Sequence, residues 1–177
     1  MALSKIIAES MDLTDTFNFT GTLQQNGSSI GGVNTPCFHA TMSADQTLSD
    51  NTATKVTFNT EKFDVGSCYD HSSNFRFTVP SGEAGKYLIT VNLGIKSYDD
   101  TYHIEGFVKL YKNGSNSRSR YQNFSGNYIN QHNYQIQELM NLSESDYIEV
   151  YGQCNVTTNS PQIKGGYSNF QACKIIE

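Results

Sequence analysis

At 177 residues the chain has room for one well-packed core, or one core plus an arm. A net charge of -5, a pI near 5.3 and a charged fraction of only 16% provide no basic field for nucleic acid or anionic lipid. The surface is instead made polar by Asn, Ser, Thr, Gln and Gly, and no window approaches the roughly 18 apolar residues of a membrane span.

Residues 1–34 read as an arm and linker. SKIIAESM suits a short helix with Ser4 as N-cap and Ile6 and Ile7 on one apolar side. DLTDTFNFTGTL reads as extended, with Phe17 and Phe19 on one face, and QQNGSSIGG has linker composition. With so few apolar residues the arm cannot build its own core, so Ile6, Ile7, Leu13, Phe17 and Phe19 are expected to anchor it to something else, the alternative being a disordered tail. The apolar run in MALSKIIAES is too short for a secretory signal, so synthesis and folding in a cytosol are expected.

Residues 35–177 read as strands. CFHATM, TKVTFN and NFRFTVP are short candidates, and GKYLITVNLGIK is the clearest long one. Its alternation puts Tyr87, Ile89, Val91, Leu93 and Ile95 on a core face, and Lys86, Thr90, Asn92 and Lys96 on the other with Leu88. YHIEGFVKLYKNG is predicted to turn Ile104, Val108 and Leu110 inward and His103, Glu105, Lys109 and Tyr111 outward, ending at the turn signal Asn113-Gly114. RYQNFSGNYINQHNYQ is polar and tyrosine-rich, and Tyr121, Asn123, Tyr128, His132 and Tyr134 are its candidate residues for surface recognition or subunit contact. NYQIQELMNL, DYIEVYGQCNV and SNFQACKII complete the series, the second with Ile148, Val150, Cys154 and Val156 inward. Many short strands without a long amphipathic helix predict an all-β antiparallel sandwich.

The chemistry-bearing motifs are weak. Gly82 and Gly85 are too close for a Walker loop, Tyr87 stands where the hydroxyl is needed, and a strand follows instead of a helix. His39, His71, His103 and His132 show no metal-binding spacing, and the four cysteines form no CxxC pair, so free thiols are expected. Asp99 with Asp100, and Glu144 with Asp146, read as solvated turns lacking the oxygen ladder of a calcium loop. Without a GxSxG elbow or other nucleophile motif, the expectation is a protein that is not an enzyme and needs no cofactor or metal, although a carboxylate pair assembled by the fold stays open.

The order of these pieces resembles the C1q-like globular domain, a relative of the tumour necrosis factor fold. Phe38-His39-Ala40 is similar to the family's opening strand, and Val56-Thr57-Phe58-Asn59 to its Val-x-Phe-Asn. FDVGSCYD, with Gly66, Tyr69 and Asp70, resembles Asn-x-Gly-x-x-Tyr-Asp, Asp64 standing for the Asn. Phe77-Thr78-Val79-Pro80 with Gly85-Lys86-Tyr87 resembles Phe-Thr-x-Pro-x-x-Gly-x-Tyr, with a turn two residues longer. Leu110 to Gly114, Asp146-x-Ile148-x-Val150 and Ser168-Asn169-Phe170 follow in the family's order, with Ser145 and Ala172 replacing family glycines. The resemblance implies a ten-stranded jelly roll that forms a homotrimer, with aromatic and apolar side chains along the threefold axis. No Gly-x-y stalk precedes it, and the leader resembles the short attachment segments of marine phage virion proteins. These two likenesses imply a virion structural protein made in the host cytoplasm, a tail, fibre or capsid-decoration component. Its arm would bind other virion proteins, and its head would recognise a host glycan or protein or reinforce the particle. The alternative is a soluble C1q/TNF-like extracellular binding module of a cell.

Overall fold

A computed structural model describes residues 34–97, 102–124 and 129–175, together with two short paired strands, β1 (Gln24–Gln25) and β2 (Ser28–Ser29). Ile6, Ile7, Leu13, Phe17 and Phe19, the expected helix around them, and Tyr128, Asp99 and Asp100 lie outside the described residues. The chain divides into two compact units, Met1–Val33 and Asn34–Glu177.

In the second unit the strands are β3 (Cys37–Thr41), β4 (Gln46–Thr47), β5 (Thr54–Lys55), β6 (Thr60–Val65), β7 (Tyr69–Asp70), β8 (Arg76–Thr78) and β9 (Gly85–Lys96). They continue with β10 (His103–Lys112), β11 (Ser115–Asn123), β12 (Gln131–Leu142), β13 (Tyr147–Val156), β14 (Gln162–Ile163) and β15 (Asn169–Lys174). A seven-stranded sheet runs β4-β14-β9-β15-β3-β6, with β12 also on β9, and a six-stranded sheet runs β11-β10-β13-β8-β7, with β5 on β13. The pairings are antiparallel throughout. The only helical element among the described residues is one 3-10 turn, Gly165–Tyr167.

The core lies between the sheets. Tyr87, Ile89, Val91, Leu93 and Ile95 of β9 all face it and are fully buried, each contributing about 1.5–3 kcal/mol of apolar transfer. The aromatic residues of the family-like motifs converge there although the sequence scatters them. Phe38 stacks on Tyr69 at 4.5 Å and meets Phe170 edge-on at 4.9 Å, while Phe77 lies 5.2 Å from Tyr87. Phe58 joins the same cluster through Phe170 at 5.8 Å. Losing the Phe38 ring would cost about 3–5 kcal/mol.

The turns explain the polar members of those motifs. Gly66 has φ 104°, and a Cβ there would lie 2.8 Å from Pro36. Asp64 accepts the backbone N–H groups of Cys68 and Tyr69, the task an Asn would perform. Between β10 and β11, Asn113 (φ 51°) and Gly114 (φ 78°) make the tight hairpin. Its Asn113 amide donates to Asp146 at 2.7 Å, and Asn113 Oδ1 accepts from the Tyr147 N–H, tying the hairpin to the turn before β13. Ser145 takes φ 65°, a left-handed conformation that suits the glycine it replaces. The turn after Pro80 places Gly82 at φ 79°, and Gly85 at φ 151° opens β9.

The structure corrects two sequence expectations and adds a strand the sequence reading did not include. A register shift between His103 and Glu105 turns His103 into the interior, 2% exposed, and leaves Ile104 at the surface. The extra residue of a bulge reverses the alternation on its far side. The edge strand β6 follows no period-two pattern and was not expected. Cys37 and Cys173 are bonded to each other rather than free, joining paired positions of β3 and β15. Cys68 and Cys154 do remain free thiols in the interior, and burial pushes the Cys154 thiol up to about 12.

Candidate functional site

Outward residues of β10, β11 and β13 form a continuous face on the six-stranded sheet. Pairing aligns Tyr121, Phe107 and Gln153 in one row, and Ser119, Lys109, Tyr151 and Lys55 in the next. A third row holds Asn116, Tyr111, Glu149 and Arg76, and beyond it Tyr147 pairs with Thr78. The aromatic rings are in contact: Phe107 with Tyr121 at 4.7 Å, and Tyr111 with Tyr151 at 4.2 Å. The polar groups are locked by one another. Tyr121 Oη donates to Glu105 at 3.0 Å and accepts from Asn123 Nδ2 at 2.8 Å. Lys109 donates to Gln153 at 2.5 Å and lies 4.8 Å from the Phe107 ring. Lys55 pairs with Glu149 at 2.5 Å, and Arg76 sits 4.3 Å above Tyr147.

Of the five residues singled out from the sequence, Tyr121 and Asn123 therefore share this face. His132 and Tyr134 do not join them. Both are at even positions of β12, whose even side chains turn inward, so the expectation of a surface Tyr134 is wrong: it is 3% exposed. Its ring reaches across the core to Gly106, where a Cβ would come within 2.1 Å of Tyr134 Oη. Tyr134 Oη and both ring nitrogens of His103 are buried with no hydrogen-bond partner. Phe124 packs against both histidines, 6.0 Å from His103 and 4.9 Å from His132. Burial, then the nearby His132, holds the His103 imidazole down at about 4. Among the described residues no group of three or more His, Cys, Asp or Glu side chains is placed to hold a metal ion.

The outer face of the seven-stranded sheet has a different chemistry. Register places Leu139, Leu88, the Cys173–Cys37 pair and Val65 in one line across five strands. Leu139 is 56% and Val65 49% exposed. The parallel line toward the middle of the sheet reads Gln137, Thr90, Gln171, His39 and Phe63. The next is nearly all amide and hydroxyl, with Gln135, Asn92, Asn169 and Thr41. A shallow cleft of about 390 Å³ opens beside it between His39, Lys62 and Tyr167.

No family model matches this chain, and no curated protein matches it. Solved structures do. Murine APRIL at pH 5.0 superposes with a TM-score of 0.55 at 12% identity, covering 78% of this chain and 98% of that one. The globular domain of zebrafish complement 1qA gives 0.55 at 13% identity, covering 80% and 98%, and Eiger TNF from S. frugiperda gives 0.53 at 13%, covering 80% and 91%. The fold is thus the all-β TNF/C1q jelly roll.

Proposed function

We propose that the chain is a non-enzymatic structural protein of a phage virion. Residues 1–34 attach it to a tail, fibre or capsid component, and a homotrimeric C1q/TNF-like head faces solvent, recognising a host surface or reinforcing the particle. The observation that carries the reading of the head is the contrast between its two outer sheet faces. The line of Leu139, Leu88, Cys173–Cys37 and Val65 suits burial against further copies of the chain, while the Tyr121–Phe107 face suits reversible contact. A threefold assembly presents three copies of one weak site, and simultaneous engagement raises avidity by orders of magnitude. The virion attachment is supported by the likeness of the leader to short phage attachment segments.

The test is deletion of residues 1–34. The truncated head should still form its oligomer in native mass measurement but be absent from purified phage particles, and a truncated head that is still incorporated overturns the attachment. The Cys37–Cys173 bond favours a second reading, a soluble extracellular binding module of a cell, because such bonds persist in oxidising compartments. Recovery of the chain from a culture medium free of particles would select that reading.

A further inference from the structure

We infer that the outer face of the six-stranded sheet is a binding platform for a neutral polysaccharide, an inference that rests on the reading of the head as a surface-recognition module. Five aromatic rings lie on this one face: Tyr121, Phe107, Tyr111, Tyr151 and Tyr147. They extend from the row of Gln153 to Tyr147, six residues along β13, or roughly 20 Å. That is a track for an extended chain rather than a pocket for a single small molecule. Half-buried rings held against one another offer large contact area at little cost in side-chain entropy.

Charge decides the class of partner. Lys55 is neutralised by Glu149, Lys109 is held by Gln153 and the Phe107 ring, Arg76 covers Tyr147, and Glu105 is engaged by Tyr121. Lys55, Lys109 and Arg76 are thus interleaved with Glu149 and Glu105, and the face presents neither a polyanion nor a polycation with a field of one sign. A neutral hydroxyl-rich chain matches this face, because its C–H surfaces lie on rings while its hydroxyls exchange hydrogen bonds with the hydroxyls of Tyr111, Tyr147 and Tyr151.

The experiment is affinity electrophoresis of the full chain through gels containing a β-glucan, an α-mannan, a galactan or the acidic polysaccharide alginate. Retardation is expected in at least one neutral gel and not in alginate. Tyr121→Ala and Tyr151→Ala should each weaken it about tenfold, with far-UV circular dichroism and native mass unchanged. Retardation by no neutral polysaccharide, by alginate alone, or equally for wild type and both variants overturns the inference. A chain that is monomeric in native mass yet retarded in a neutral gel would sink the trimer and leave the platform standing. A trimer that nothing retards would do the reverse.

Discussion

His103 is the residue whose chemistry is most out of balance with its surroundings. Unfolded, it takes up a proton near its ordinary value of 6.5, whereas in the interior it stays neutral until about 4. Between those values the unfolded state binds more protons, so stability falls as the pH drops through the window, by on the order of 3 kcal/mol. Urea denaturation at pH 7, 6, 5 and 4 should show the decline, and His103→Phe should flatten that part of it. Asp146 behaves oppositely in origin and at lower pH. Burial works against its charge, but Lys112, Asn113 and the Ser143 N–H prevail and hold it at about 2. Its contribution is therefore complete above about 4 and disappears only toward pH 2. Tyr134 provides a third case. Its hydroxyl is buried without a partner, so Tyr134→Phe should raise stability by about 1 kcal/mol. Gly106→Ala should lower it by about 1–3 kcal/mol, because the new methyl group meets the Tyr134 ring. Thermal melts of the two variants should move in opposite directions.

At the scale of elements, the legibility of the sequence followed the regularity of the strand. β9 was readable because every inward position from Tyr87 to Ile95 is apolar. β10 was readable only after Gly106, since a bulge leaves no mark on the residues it displaces. β6 left no trace, because an edge strand with both faces largely wet needs no alternation. Tyr134 misled for a different reason, as a polar tip suggested the surface while strand parity placed it in the core. Tyr111 and Tyr151 could be read as outward residues, yet nothing in the sequence showed that Tyr121 and Phe107 lie beside them on one face. That depends on register between strands. The Cys37–Cys173 bond was hidden similarly, since its partners are 136 residues apart and meet only because β3 pairs with β15. A Cys37→Ser, Cys173→Ser variant should lose ~2–4 kcal/mol, and reductant should lower the melting temperature of the wild type but not of the variant.

For the whole molecule, the two sheet faces make separable predictions. Replacing Leu88 and Leu139 by Asp places two charges in the proposed subunit contact, and native mass measurement should then report monomer in place of trimer. The monomer should keep its β circular dichroism, because both side chains point away from the core. A wild-type chain that is monomeric at micromolar concentration would refute the assembly. The bond between β3 and β15 also has a mechanical consequence. A load applied between residues 36 and 174 meets the Lys174 N–H to Pro36 carbonyl bond and the Lys174 end of β15, and then a covalent link that shields the strands behind it. Pulled in an atomic force microscope, the oxidised domain should resist extension, while the reduced one should release roughly 450–490 Å of hidden chain. Tension transmitted through its two end strands would stop at this staple, and the jelly roll between them would keep its shape.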